Sequence, residues 1–289
     1  MSDISAAESA TMAGSSVVKS RKKMGLMTMM AICVGLVIVQ GAMISAMQGI
    51  GMGGTAFAFA MIAALIISQF NAMSFAELSL MFPQEGTLAT YTQKAIGHFP
   101  AIVSVFAGYV IVASLAVPVE MFLVDAMLGE LLPGRFPEKV IPLLILAVLT
   151  ITNLVGTNVF AKVQNFIAFI LVSALILLGL VAIGDVSQPH PEITGTPVDW
   201  SFAGVTDGSF VGLIALAMWL FVGAEYICPM INEVKDPVKN IPRAMHLSLF
   251  AIFGIFLAFV YGASLFLNTE ILLGSPIPYL DYALSLIHI

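Results

Sequence analysis

The chain has 289 residues, of which 60% are hydrophobic and 10% charged, with a net charge of −6 and a mean hydropathy of +1.03. Soluble domains carry about 25% charged residues, so a soluble chain of this composition could not cover its own surface. The apolar runs are long and continuous, which excludes an outer-membrane barrel built of short alternating segments. An all-α integral membrane protein remains. The net charge points to no particular partner, because the acids cluster in a few loops.

Residues 1–18 are polar, small and Ser/Ala-rich, and Lys19, Arg21, Lys22 and Lys23 stand directly before the first apolar run. Residues 1–23 therefore read as a disordered cytoplasmic tail and 24–289 as the membrane domain. About 20 apolar residues cross a bilayer. Full spans are predicted over 25–51, 55–82, 99–129, 140–158, 163–184, 209–231 and 246–267, and an eighth begins near Ile277. With the N-terminus inside, nine Lys and Arg residues fall on inner segments, and only Arg135 and Lys139 fall outside. That asymmetry sets the expected orientation. Cys33 and Cys228 lie in apolar runs and read as small buried hydrophobes.

Three spans are irregular. The first carries Gln40-Gly41 near its middle, the third carries Pro118, Glu120 and Asp125, and the sixth carries Gly223, Glu225 and Pro229. Interrupted spans in corresponding positions of two halves point to a transporter site between inverted repeats. Gly223 has two readings: a close-packing residue with Glu225 paired to a polar neighbour, or the loose point of a broken helix whose freed N–H and C=O groups face a cavity. In the second reading Glu225 can exchange a proton with a gradient. Glu120 either faces a substrate amine or is solvated near the outer mouth. Asp125 reads as interfacial and Glu77 as a structural pairing group. Trp219 and Phe221 pack or face lipid, or else close over a ligand. His98, His190 and His246 fall at span ends or in loops. With His288 they show no metal-ligand spacing. No P-loop, nucleophile elbow or zinc-protease motif occurs, so neither a cofactor nor a nucleic-acid partner is expected. The expected partners are the lipid bilayer and a small molecule.

Trp219-Leu220-Phe221-Val222-Gly223-Ala224-Glu225, followed by Glu233-Val234-Lys235-Asp236-Pro237-Val238-Lys239-Asn240-Ile241-Pro242-Arg243-Ala244, resembles the sixth span and next inner loop of the amino acid–polyamine–organocation transporter superfamily. Phe75-Ala76-Glu77-Leu78-Ser79 through Phe82-Pro83, Gly86, Tyr91 and Gly97 resembles its link between spans two and three. Asn153, Gly156 and Lys162-Val163-Gln164 give a looser match. The resemblance implies a LeuT-type inverted-repeat transporter fold, with the first repeat complete and the second partial. It implies a permease moving amino acids or related amines by alternating access, as a proton-coupled symporter or an exchanger (antiporter), in the cell membrane. Carried over by residue, Gln40, Gly41 and Ala42 would meet a substrate carboxylate and the carbonyls of Phe221 and Val222 its amine. Gly223 would be the unwound point, Trp219 and Phe221 gating aromatics, and Glu225 or Glu120 the proton-coupling acid.

Three departures stand out. The superfamily's Gly-x-Gly in span one reads Val39-Gln40-Gly41 here. Phe166–Leu178 in span five carries no charge, where some members place a Lys. The chain stops inside its eighth span, so a fragment of a longer coding sequence is expected, inactive in transport by itself. A non-transporting sensor or a membrane-embedded enzyme are the alternatives. The enzyme finds no nucleophile, base and metal at one depth.

Overall fold

A computed structural model describes residues 23–84, 86–155, 157–184, 195–202, 205 and 208–287. The N-terminal tail through residue 22, Gly156, His190 and His288 lie outside them. All regular elements among the described residues are helical, and the one extended contact is an isolated bridge between Met24 and Val234. The first span is a broken pair, α1 (Leu26–Val37) and α2 (Gln40–Gly53), bent by 65°. The second is α3 (Thr55–Met81). A short amphipathic helix, α4 (Thr87–Ile96), leads into the third span, which runs through α5 (His98–Val105), a π-helical segment Phe106–Ile111 and α6 (Val112–Leu131). Then follow α7 (Val140–Val155) and α8 (Thr157–Gly184).

The sixth span is α9 (Phe210–Met218), a 3-10 turn Trp219–Phe221 and a second 3-10 stretch Ala224–Glu233. The seventh is α10 (Pro237–Phe266). Two shorter helices close the described chain, α11 (Thr269–Gly274) and α12 (Pro278–Ile287). Among the described residues, five helical segments are long and apolar enough to cross a membrane, the broken sixth span included, and the bent α1–α2 pair makes up to a sixth crossing. Within the fourth predicted span, 140–158, α7 covers 16 residues up to Val155, and Gly156 lies outside the described residues.

The core sits where α10 packs against α1, α3 and α8. One face of α3 is a ladder of buried alanines, Ala56, Ala60, Ala64, Ala72 and Ala76. Small side chains let helix backbones approach closely, and in lipid such packing drives association. The large buried side chains of α10 include Phe256 and Phe259. Tyr282 fastens α12 to this core: it is buried against Phe259 and Phe266, and its hydroxyl donates to Leu178 O at 2.8 Å. By contrast α5, α6 and α7 expose most of their apolar side chains, among them Phe99, Leu115, Phe122 and Leu154. Lipid is the solvent such surfaces suit.

One boundary differs clearly from the sequence expectation. The seventh helix begins at Pro237, nine residues before the apolar run predicted to start at 246, because Pro is favoured in the first helical turn and Asp236 supplies the turn before it at φ +48°. His246 therefore lies within α10, bonded to Gln69 of α3 through its Nδ1 and through its carbonyl, and not at a span end. The start of span two, at Thr55 as expected, is set by Gly54. Its φ is +46°, and a Cβ there would lie 1.8 Å from Asp199 O, so the 195–202 segment closes down only on a glycine. Thr55 completes that junction by donating its hydroxyl to Trp200 O at 2.6 Å.

Candidate functional site: two broken spans

The break in span one falls at Ile38-Val39, with Val39 extended at φ −118° and ψ 165°. Val37, Ile38 and Val39 are consecutive β-branched residues, the poorest aliphatic helix formers. Helix resumes at Gln40, so the N–H groups of its first turn have no partner within the helix. Gly41 N–H instead donates to Glu120 Oε1 of α6 at 3.0 Å. The carboxylate rests against the positive end of the α2 dipole. A Cβ on residue 41 would stand 3.1 Å from that oxygen, so a larger residue would crowd it. Gln40 turns the other way: its Oε1 accepts from the Tyr279 hydroxyl of α12 at 2.8 Å. Ser45 donates back to Gly41 O at 2.9 Å.

The break in span six is sharper. Val222 is extended, and Gly223 has φ +126° and ψ −14°. Only glycine occupies that region cheaply. Pro229 follows inside the 3-10 stretch and cannot donate an α-helical bond. Glu225 bends back on the break, its Oε2 accepting Gly223 N–H at 3.1 Å. Tyr226 stacks in a tilted pair with Tyr109 of the π-helical segment, ring centroids 5.3 Å apart.

The two breaks meet. A Cβ on residue 223 would lie 3.2 Å from Val37 Cγ2 and 3.7 Å from Leu36 O. Cys33 Sγ–H points to Ala224 O at 3.7 Å. The lower half-helix α1 packs along the 224–233 stretch, and α2 packs against the 219–221 turn. At the far end of α1, Met24 N–H donates to Glu233 O at 2.8 Å, and Lys235 N–H donates to Met24 O at 2.9 Å.

The structure brings the expected residues together unevenly. Ala42, Phe221 and Gly223 are buried, Gln40, Gly41, Glu120 and Glu225 are half-buried, and Trp219 and Val222 are 43% and 46% exposed. Glu120 reaches span one and Glu225 stays on its own span. Asp125 accepts Lys139 N–H at 2.8 Å at the end of α6, and Glu77 lies on an exposed face of α3. Cys33 and Cys228 are buried and free. No cluster of three or more His, Cys, Asp or Glu fit for a metal occurs among the described residues. Sequence reasoning missed Tyr279 and the π-helical segment. Nothing in the spacing marks either one, although Tyr279 belongs to the only polar group of residues near the start of the eighth span.

An all-helical bundle whose first and sixth spans are broken and touch at their breaks is a multi-pass membrane protein of the inverted-repeat transporter fold. The chain belongs to the amino acid permease family, which it matches over residues 24–281. It is 29% identical over 198 residues to the gamma-aminobutyric acid permease of Escherichia coli, covering 63% of this chain and 41% of that protein. It is 29% identical over 243 residues to the lysine-specific permease of the same organism, covering 76% and 46%. To the human cystine/glutamate transporter it is 24% identical over 249 residues, covering 82% and 48%. The chain thus spans less than half the length of each of these relatives.

Proposed function

We propose that this chain forms the substrate-handling part of a secondary transporter for amino acids or related amines, working by alternating access in the cell membrane with its N-terminus cytoplasmic. The observation that carries the reading is the contact between two helix breaks, which brings the start of α2 and the backbone acceptors of the span-six break to one place. The substrate lies between Gln40, Gly41 and Ala42 on one side and Trp219, Phe221, Val222 and Gly223 on the other. Its amine meets carbonyls at the end of the 219–221 turn, which a helix end leaves without partners. Glu225, bonded to the backbone of the break itself, links protonation to movement of that break. Losing its charge would release Gly223 N–H and let span six shift against span one. The names of the relatives support the cargo class, since all three act on amino compounds. The excess of Lys and Arg on alternate segments supports the orientation.

The test is uptake. The protein encoded by the complete reading frame is reconstituted in proteoliposomes and offered a panel of radiolabelled amino acids and amines under a proton gradient. Saturable uptake of at least one compound, abolished by Gly223→Val, is expected. Absence of uptake and of counterflow across the whole panel would refute transport.

A further inference from the structure

Glu120 occupies the place at the start of α2 where a free carboxylate of a substrate would otherwise bind. Its Oε1 already accepts Gly41 N–H at 3.0 Å, and Tyr279 already holds the Gln40 side chain at 2.8 Å. The span-one half of the site is therefore filled by groups of the chain itself. The charge brought to it is negative: Glu120 of α6 bonds Gly41 N–H. Among the elements that pack on α2, α6 also carries Asp125 and Glu130 and α12 carries Asp281, while the basic residues of α10, Lys239 and Arg243, fall on its first two turns. Asp125 is taken up by Lys139 N–H and Asp281 by the Ser275 hydroxyl. Glu225 is bonded to Gly223 N–H. Glu120 is anchored through its Oε1. Its packing is firm, because Leu123 one turn on is buried against Ile277 and Leu280 of the eighth span.

A second carboxylate brought to the same N-terminus would stand beside Glu120 in a medium that screens poorly, and like charges at such range repel strongly. An ammonium brought to the same place meets the opposite field. We infer that Glu120 is the specificity-determining residue of this site: it stands in for the substrate's carboxylate and selects substrates of net positive charge that lack a free α-carboxylate, the amines and diamines. This rests on the transport reading above and narrows its cargo. Glu120 pairs its second oxygen with the substrate's ammonium. It thereby takes a recognition role where the sequence suggested proton coupling.

The experiment uses the same reconstituted protein and a graded set of inhibitors of its uptake: 1,5-diaminopentane, lysinamide, lysine and alanine. These differ in charge and in the presence of the carboxylate. The expected order of affinity is 1,5-diaminopentane and lysinamide ahead of lysine by about tenfold or more, with alanine weakest. In Glu120→Gln the diamine should lose about tenfold in affinity, and lysine should gain relative to it, because the α2 N-terminus is relieved of its resident charge. Glu120→Asp should retain the parent order. Lysine or alanine binding as well as the diamine in the parent protein would overturn the inference while leaving transport intact. A Glu120→Gln protein that keeps the parent order would also overturn it. Uptake of none of the four, with uptake of some other compound, would again count against this assignment alone.

Discussion

Replacing Gly223 with Ala isolates the backbone argument for the break in span six. The native φ of +126° and ψ of −14° lie where an L-residue is strained by about 1–3 kcal/mol. The new Cβ would stand 3.2 Å from Val37 Cγ2, so the wall of span one must yield by a few tenths of an ångström, at about 1 kcal/mol or less. Against this, alanine restricts the unfolded chain and returns about 0.4–1 kcal/mol. The net expectation is a loss of about 2 kcal/mol. Gly254→Ala supplies the control. That glycine lies within α10, and a Cβ there meets nothing within 4 Å, so helix propensity alone should add up to about 1 kcal/mol. Thermal unfolding of the two purified variants in detergent, followed by Trp fluorescence with Trp219 beside the break as reporter, should move the midpoints in opposite directions. A Gly223→Ala midpoint at or above the parent's would refute the claim that the break needs glycine.

Glu225→Gln should leave binding of the best substrate within about threefold but flatten the pH dependence of uptake; an unchanged pH profile in proteoliposomes would remove Glu225 from coupling. Gly54→Ala should expel the 195–202 segment, because the added carbon cannot share space with Asp199 O at 1.8 Å, and limited proteolysis should then cut that segment faster than in the parent. Glu270 is held below its ordinary value of 4.5 by its own backbone N–H and then by Thr196. The depressed carboxyl supports the loop above its unfolded value, and that support is lost as pH falls through the lower folded value. Hydrogen exchange at the Thr196 amide, which donates to Glu270 at 3.2 Å, should accelerate on acidification below about 4.5 and stay level in Glu270→Gln.

Much of this architecture was legible because hydropathy dictates it. A run such as Phe166–Leu178 without a single charge can only be a helix in lipid, where every backbone group must bond within its own segment. Gly223 was legible as the loose point of span six, since a glycine, an acid and a proline fall together there. The break in span one was sensed at Gln40-Gly41 but lies at Ile38-Val39, where three β-branched residues fail to propagate the helix. The start of α10 was hidden because a hydropathy window sees Lys239 and Arg243 as loop, although both fall on its first two turns. The partners of the site were less legible still. Glu120 is 79 residues from Gly41 and Tyr279 is 239 from Gln40, and no local pattern announces a contact made by tertiary packing. The chemical types were visible in the sequence, but their pairing was not.

The central claim is that substrate lies between the two breaks, and labelling of a cysteine placed there tests it most directly. In a background lacking Cys33 and Cys228, Val222→Cys puts a thiol on the 46% exposed residue of the span-six break, and Val211→Cys puts one on the same span, 72% exposed and away from the break. Labelling by a small soluble maleimide is timed with and without the best-transported compound at saturation. The account predicts that substrate slows labelling of Val222→Cys several-fold and leaves Val211→Cys unchanged. Equal labelling of Val222→Cys in the presence and absence of substrate would contradict it.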